Sequence, residues 1–328
     1  MKPQPADEWL GLEIRRLLRL TRGWPVPGPA AFETKDWTWI KLAVLDHYIP
    51  HYLRILRPLY RRLVFVDLFA GSGASRYSLG KGEFCSPGSS LVAASYLDQS
   101  DPEAHGAAFD RIVAVEQSRN RAAILEDALK RFGYSSPGRL DLLEGDCNKL
   151  LDRVLEAVRP GGTHALVFAD PEGLDLQYST LQRLLEVHPA ADVFVTHLVA
   201  GAARVSTASS KMESFYGRPI PAGLGTREAA STLYEEQFRR LRRHVDVLTV
   251  QKEIRGYSYD LLFGVRDSPT HSEWRKRVSA LKPKLKSLTG EQVRHVLETE
   301  LPHSLGGRAT RQQKLGDGAP VIKPPSTG

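Results

Sequence analysis

The chain contains 328 residues, of which 41% are hydrophobic and 25% charged, so it can bury a substantial core and is not disordered as a whole. Its longest mostly apolar stretch, 193–205, is too short to span a membrane. The two cysteines, Cys85 and Cys147, exclude a disulfide framework and a zinc cluster. Because the N-terminus also has no apolar signal core, we expect a cytoplasmic protein in a reducing compartment.

Charge is distributed unevenly along the chain. The formal net charge of +7 divides into +5 for residues 1–63, −4 for residues 64–269 and +6 for residues 270–328. Basic ends around a slightly acidic centre favour a polyanionic partner such as RNA or DNA. Solvated lysine and arginine side chains on flanking helices would give the same pattern, and the charge leaves both interpretations open.

Two amphipathic helices are predicted before the first strand. The first covers residues 7–22, with Asp7 as its N-cap. The second covers about 35–57, where Pro50 should kink the helix or split it in two. The aromatic stripe of this second helix either packs against the sheet or stacks on a nucleic-acid base.

The pattern then changes to apolar runs that alternate with helical segments. Runs typical of buried parallel strands occur at 63–68, 111–115, 140–144, 164–169 and 191–197. The last two β-rich runs, 245–252 and 257–265, are joined by too short a link for a helical crossover and therefore predict an antiparallel hairpin. The expected fold is α/β, with the Rossmann-like sheet of class I methyltransferases and additional N- and C-terminal helices.

The expected domain organisation follows from these elements. An N-terminal helix and Pro-rich linker (1–33) precede a methyltransferase-like domain at 34–268, which carries insertions at 77–110 and 202–227. A C-terminal helical extension (269–305) and a disordered Gly/Pro-rich tail (306–328) complete the chain. The insertion at 202–227 contains the sequence FYGRP and is a candidate lid or substrate loop.

The first strand leads into the most informative motif, VFVDLFAGSGAS at 64–75. Gly71 and Gly73 allow backbone N–H groups to approach a ligand at the edge where open sheets bind ligands. A dinucleotide fingerprint would have a small residue where Arg76 stands, so S-adenosylmethionine, which has no phosphate, fits better than a dinucleotide. The alternative is a purely structural turn. The residues predicted to bind the cofactor here are Asp67, Phe69, Ala70, Gly71 and Gly73.

Acidic residues follow the next three strands. Glu116 is predicted to accept hydrogen bonds from the ribose hydroxyls of the cofactor, or else to cap a helix. Asp146 can accept from the adenine amino group, cap the helix that begins near Asn148, or do both. Asp170, in the segment ADPEG, is the candidate catalytic acid, base or positioning group and a further cofactor ligand.

Nucleic-acid amino-methylases usually show Asp/Asn-Pro-Pro-aromatic at the tip of this fourth strand, where the motif binds the target amine and stacks on the base. This chain keeps Asp170 and Pro171 but has Glu172 and Gly173 in the last two places, which weakens that interpretation. We predict that Pro171, Glu172 and Ser86 bind substrate. Alternatively, Glu172 is an exposed loop residue without a functional role.

Together these residues resemble the three-Cys-motif partner family of methyltransferase-like proteins. The segments that carry the resemblance are 37–56, 65–73, 86–93, 113–116, 168–173, 215–217 and 259–265. The resemblance implies a methyltransferase fold and association with a separate protein whose three-cysteine motif is of the kind that ligates an iron–sulfur cluster. The family typically has Asp-Pro-Phe-Gly where this chain has Glu172 in third place, and an Asn after strand five where this chain has VAGAAR (199–204).

Two functions are consistent with these features. The first is an S-adenosylmethionine-dependent methyltransferase of the three-Cys-motif partner type that acts on nucleic acid. The second is a non-catalytic scaffold with the same fold that binds nucleic acid or the three-Cys-motif protein. We expect no membrane partner. We also expect no metal site, because His47 and His51 lack a third ligand nearby.

Overall fold

The computed structural model describes most of the chain. The described residues are 5–29, 31–80, 82–97, 108–159, 161–198, 210–221, 224, 226–251, 258–266, 276 and 278–304. The helices, here α1 to α10, cover Ala6–Leu20, Asp36–Leu56, Ser89–Ala94, Arg119–Arg131, Leu151–Val158, Tyr178–Val187, Ser210–Tyr216, Arg227–Leu241, Lys282–Ser287 and Gly290–Ser304. The strands, β1 to β10, cover Glu33–Thr34, Arg62–Asp67, Ala74–Leu79, Gly82–Pro87, Arg111–Glu116, Leu140–Glu144, Thr163–Ala169, Ala191–His197, His244–Gln251 and Ser258–Val265.

Seven strands form the central sheet in the order β6-β5-β2-β7-β8-β10-β9. Strands β6, β5, β2, β7 and β8 are parallel, and β10 runs antiparallel to both β8 and β9. The direction of winding reverses at β2, which pairs with β5 on one side and β7 on the other. Five parallel strands closed by a terminal hairpin are the class I methyltransferase arrangement, so the predicted fold class is confirmed.

The sheet is covered on both faces, which explains why its central strands read as continuous apolar runs. In β2, Leu63 and Phe65 belong to the core shared with α1, α2 and α10. Val64 and Val66 alternate with them and belong to the opposite core, shared with α5, α6 and α8. The alternation follows from the two-residue repeat of a strand.

Helices α1, α2 and α10 pack together on one face of the sheet. Within this layer Arg16 of α1 forms a buried ion pair with Asp46 of α2, and Tyr96 donates a 2.8 Å hydrogen bond to the same carboxyl. Burial raises the pKa of Asp46 to about 7, and the Arg16 guanidinium opposes that rise. Removing Arg16 alone would leave a buried carboxyl without its counter-charge, so this pair ties α1 to the rest of the fold.

Two local expectations for these helices are corrected. Of the two alternatives for Pro50, a split is wrong, since helix α2 continues through Pro50 to Leu56. Proline cannot donate to the carbonyl four residues earlier, and that carbonyl, on Asp46, instead accepts a 3.0 Å hydrogen bond from the Tyr96 hydroxyl. Helix α1 begins at Ala6, so Asp7 lies in its first turn and is not its N-cap.

The two predicted insertions have different structures. Residues 74–87 form the hairpin β3–β4, which joins β1 in a separate three-stranded sheet. In the second insertion, predicted at 202–227, residues 202–209, 222–223 and 225 lie outside the described residues. The FYG segment there does not form a loop over the cleft, because Phe215 and Tyr216 end α7 and are buried in the core. The lid prediction for this part of the chain was therefore wrong.

The predicted C-terminal helical segment is interrupted: α9 and α10 are separated by residues 288–289. Their apolar side chains Leu285, Leu297 and Leu301 are buried in the core that contains α1 and α2. None of the described helices combines the length and apolar character needed to cross a bilayer.

A buried carboxyl makes the stability of this fold dependent on pH. Tyr48 of α2 donates a 2.8 Å hydrogen bond to Asp192 of β8, and burial raises the pKa of Asp192 to about 7 from an ordinary value of 3.8. Between about pH 4 and about pH 7 the unfolded chain has released this proton while the folded chain keeps it. The contribution of Asp192 to the free energy of unfolding therefore falls as the pH rises through this range.

Asp192→Asn should make the free energy of unfolding decline less steeply over that pH range. The amide oxygen still accepts from Tyr48 but carries no titrating proton, so up to about 1.4 kcal/mol per pH unit of the dependence should disappear. Urea denaturation at a series of pH values measures the slope. Asp127→Asn, at an exposed position of α4, is the matched control. An unchanged slope in Asp192→Asn would contradict the proposed titration.

Candidate functional site

A cleft of about 690 Å³ opens at the carboxyl edge of the parallel strands. The loops that follow β2, β5, β6 and β7 all contribute to its lining, through residues 68–73, 116–117, 145–148 and 170–172. Residues Phe32 to Leu42, from β1 and the first turns of α2, contribute further lining residues. The cleft therefore lies where the winding of the sheet reverses, which is the usual ligand site of open α/β folds, and its volume is in the range of about 300–1,000 Å³ typical of ligand sites.

The glycine-rich turn after β2 is held by the segment before α3. Gly71 and Gly73 have φ values of +63° and +71°, which side chains rarely adopt. The backbone N–H of Gly88 donates a 2.5 Å hydrogen bond to the carbonyl oxygen of Gly73. A Cβ atom on Gly88 would lie 2.8 Å from that same oxygen, so this close approach requires glycine.

Asp67 stabilises this turn through hydrogen bonds. It is fully buried and accepts hydrogen bonds from the hydroxyls of Ser89 at 2.6 Å and Ser90 at 2.7 Å. Burial raises the pKa of Asp67 to about 6, and the serine hydrogen bonds oppose that rise. Asp67 does not itself line the cleft, whereas Ser89 does. The structure thus places this predicted cofactor ligand behind the cleft wall.

Glu116 stands at the tip of β5 with only 5% of its surface exposed. Its Oε1 atom accepts hydrogen bonds from Nε of Arg121 at 2.8 Å and from the backbone N–H of Ser118 at 2.7 Å. Arg121 in turn lies 4.2 Å above the ring of Phe32, so Phe32, Arg121 and Glu116 together form one end of the cleft.

Asp146 lies in the loop after β6 and lines the cleft. Its carboxylate accepts hydrogen bonds from the backbone N–H of Asn148 at 2.9 Å and from the side-chain amide of Asn148 at 2.8 Å. Helix α5 begins only at Leu151, with Leu150 at its N-cap position. The alternative that Asp146 caps this helix is therefore wrong, and the carboxylate instead fixes a turn in the cleft wall.

Asp170, at the tip of β7, forms an ion pair with Lys41 of α2. The Lys41 side chain is only 9% exposed, and its Nζ lies 5.7 Å from the centre of the Tyr259 ring. Tyr259 also holds the start of α2, because its hydroxyl donates a 3.0 Å hydrogen bond to the carbonyl of Trp37. The candidate catalytic carboxylate thus has a nearly buried cationic partner.

The three predicted substrate residues are not all in the cleft. Pro171 and Glu172 line it beside Asp170. Partial burial raises the pKa of Glu172 above its usual 4.5, with Arg121 opposing the rise and neighbouring carboxylates adding to it. Ser86 is completely buried, and its hydroxyl donates a 3.3 Å hydrogen bond to the carbonyl of Pro87. The structure does not bring Ser86 to the cleft.

The structure therefore brings most of the predicted site together. Residues named from the sequence that line the cleft are Phe69, Ala70, Gly71, Gly73, Glu116, Asp146, Asp170, Pro171 and Glu172. Sequence analysis missed Phe32, Lys41 and Arg121. The one signal for Lys41 is its place in an otherwise apolar run of α2, between Ile40 and Leu42.

The aromatic side chains of α2 have two different environments. Trp39, Tyr48 and Tyr52 are buried under the sheet, as the packing interpretation predicts, while Trp37 lines the cleft. Within the described part of the chain no group of three or more His, Cys, Asp and Glu side chains is placed to hold a metal ion.

No protein-family model matches the chain, and a comparison with curated proteins gives no match. Similar solved structures include a Legionella pneumophila protein assigned to a DUF519 family model, with 12% identity, a TM-score of 0.46 and coverage of 74% of this chain and 91% of that one. Trm1 from Pyrococcus horikoshii with S-adenosyl-L-methionine has 11% identity, a TM-score of 0.38 and coverage of 78% and 61%. An O-methyltransferase from Bacillus cereus in complex with SAH has 11% identity, a TM-score of 0.35 and coverage of 80% and 93%.

Gly88→Ala should destabilise the protein, because the new Cβ atom would collide with the Gly73 carbonyl. The expected loss in the free energy of unfolding is about 1–3 kcal/mol, measured by urea denaturation. Gly28→Ala is the control, since no atom lies within 4 Å of the Cβ that it would add. Equal stability of the two variants would show that Gly88 does not hold the glycine-rich turn.

Proposed function

We propose that this chain is an S-adenosylmethionine-dependent methyltransferase. The main support for this proposal is the net negative charge of the cleft. Among the described residues that line it are six carboxylates and only three basic side chains, Lys35, Lys41 and Arg121. Each of these basic side chains already pairs with an acid. Such a cleft would repel the pyrophosphate of a dinucleotide and attract a sulfonium cation.

The residues present fit this cofactor. The glycine-rich turn at Gly71 and Gly73 exposes backbone to the cleft without Cβ atoms in the way. The hydrogen bonds and the ion pair that Glu116 makes with Ser118 and Arg121 all involve its Oε1 atom. Its Oε2 atom therefore remains available to accept hydrogen bonds from ribose hydroxyls. Asp146 can accept from an adenine amino group while it holds its turn.

The cofactor would supply a methyl group bound to a positively charged sulfur. The protein's own contribution is then to hold an acceptor beside that group and to exclude other orientations, for which positioning alone can be worth several powers of ten in rate. Asp170 and Lys41 form the rigid, charged edge of the cleft against which an acceptor would be placed.

Calorimetry with S-adenosylmethionine tests the proposal. The wild-type protein should bind the cofactor, and Glu116→Ala should bind it at least about tenfold more weakly, since it loses hydrogen bonds to a charged group. Glu144→Gln is the matched control, because it removes an exposed acid at the same sheet edge that does not line the cleft. Absence of binding, or equal binding by Glu116→Ala, would contradict the proposed function.

A second function, a non-catalytic scaffold, is favoured by one observation. The Lys41–Asp170 ion pair occupies the carboxylate that would otherwise be free for chemistry. Calorimetry distinguishes the methyltransferase from the scaffold, because a scaffold is not expected to bind S-adenosylmethionine through Glu116.

We further propose that the methyl acceptor is a nucleic acid. The basic C-terminal end of the chain supports this: α9 packs against α1 and carries Lys284 and Lys286, beside Lys282, which pairs with Asp246. Arg294 of α10 lies 3.5 Å from Asp36 at the start of α2, so this layer adjoins the helix that lines the cleft. Residues 305–328, outside the described residues, carry four more basic side chains and one acidic one.

Affinity for RNA or duplex DNA should then fall steeply as the salt concentration rises. Removing residues 305–328 should lower the magnitude of the slope of log affinity against log salt by up to about 3.6, since the segment has four basic side chains and each lost phosphate contact contributes about 0.9. Fluorescence anisotropy over a range of salt concentrations measures the slope. Salt-independent binding, or none, would contradict a nucleic-acid substrate.

The partner proposal rests on the family resemblance alone. We propose that the chain binds a separately encoded three-Cys-motif protein, which would supply the cysteine cluster that this sequence lacks. Co-expression with such a protein from the same genome, followed by size-exclusion chromatography, should give a joint peak. Separate elution at micromolar concentrations would contradict this partnership.

A further inference from the structure

The carboxylates of the cleft are not equivalent, because five of the six among the described residues have partners. The pairs are Glu33 with Lys35, Glu116 with Arg121, Asp146 with Asn148, Asp170 with Lys41 and Asp175 with Lys211. Glu172 is the exception, since it forms no hydrogen bond or ion pair with any described residue. Both of its carboxylate oxygens are therefore available to a ligand, whereas the other five carboxylates each have at least one oxygen engaged.

The surroundings of Glu172 favour the uptake of a proton. Partial burial raises the pKa of Glu172, the carboxylates of Glu116 from β5 and of Asp175 and Asp170 from its own loop raise it further, and Arg121 from α4 opposes the rise. A carboxylate with these neighbours holds a proton more readily than an isolated one. Glu172 lines the cleft just beyond the tip of β7, directly after Asp170 and Pro171.

Asp170 is less suited to the same task. Its Oδ2 atom accepts a hydrogen bond from the Lys41 ammonium, which lies almost completely inside the protein. The Lys41 ammonium thus already occupies this carboxylate, and the ion pair is placed to fix the shape of the cleft.

Methylation of a neutral amine or hydroxyl leaves the acceptor with one proton in excess. The lone pair of the acceptor atom forms the new bond to the methyl carbon, the electron pair of the broken carbon–sulfur bond stays on sulfur, and the acceptor proton must go to a base. An anionic acceptor, such as a carboxylate or phenolate, has no such proton. The presence of a base therefore bears on the class of acceptor.

We propose that Glu172 accepts the proton from the methyl acceptor, and that the acceptor atom is a neutral nitrogen or oxygen that carries hydrogen. This inference rests on the proposed function and refines it. It makes Asp170 a positioning residue, held by Lys41. It also gives a role to the residue that stands where the resembling family has phenylalanine.

Transfer of tritiated methyl from S-adenosylmethionine into total RNA, DNA and protein fractions gives the first test. Glu172→Gln should lower the transfer rate about 100-fold, as is typical when a general base is removed, and should abolish the rise of the rate with pH. Glu172→Ala should regain activity on addition of formate, a small carboxylate that can occupy the vacated space. Glu144→Gln should behave as wild type.

Carbon-13 NMR of glutamate carboxyls provides a readout that does not depend on activity. In the cofactor-free protein one carboxyl should titrate above the ordinary range, and that signal should be missing from Glu172→Gln. A urea denaturation midpoint equal to that of the wild type would confirm that Glu172→Gln is folded.

A full rate and an unchanged pH profile in Glu172→Gln would overturn the inference, as would absence of label from every fraction while the cofactor binds. Absence of cofactor binding would instead overturn the proposed function.

Discussion

The shape of the cleft depends on hydrogen bonds that Gly88 and the first two residues of α3 donate to the glycine-rich turn after β2 and to Asp67. Gly88 donates to the Gly73 carbonyl at 2.5 Å, and Ser89 and Ser90 both donate to the buried carboxylate of Asp67. These contacts join residues about 15–23 positions apart in the sequence and fix a turn whose two glycines have positive φ values. Without these contacts the glycine-rich turn would lose its support, and the buried Asp67 would keep only the 3.3 Å hydrogen bond from the Phe69 backbone N–H.

The cleft that this turn lines carries an excess of negative charge. Most of its carboxylates are satisfied by a neighbouring cation or amide, which preserves their positions without removing the overall imbalance. The result suits a ligand that carries a positive charge and no phosphate. The basic side chains of α9 lie in a different layer, packed on α1 and β9, so the attraction of a polyanion and the binding of a cation can be served by separate surfaces.

Much of the fold could be predicted from the sequence, because buried parallel strands and the link of the final hairpin leave clear local patterns. The positions of Gly71, Glu116 and Asp170 at the strand tips followed from the same reasoning. Lys41 could not be found in this way, since its partner Asp170 is 129 residues away and only the packing of α2 across the sheet brings them together. Local patterns also could not decide whether α2 continues through Pro50, where a tyrosine hydroxyl from elsewhere in the chain replaces the missing backbone donor.

The charge of the cleft should make it select a sulfonium nucleoside over a dinucleotide. Two calorimetric titrations of the wild-type protein under the same conditions, one with S-adenosylmethionine and one with NAD, measure this selectivity. We expect saturable binding of S-adenosylmethionine and no measurable binding of NAD. Binding of NAD, or failure to bind S-adenosylmethionine, would contradict it.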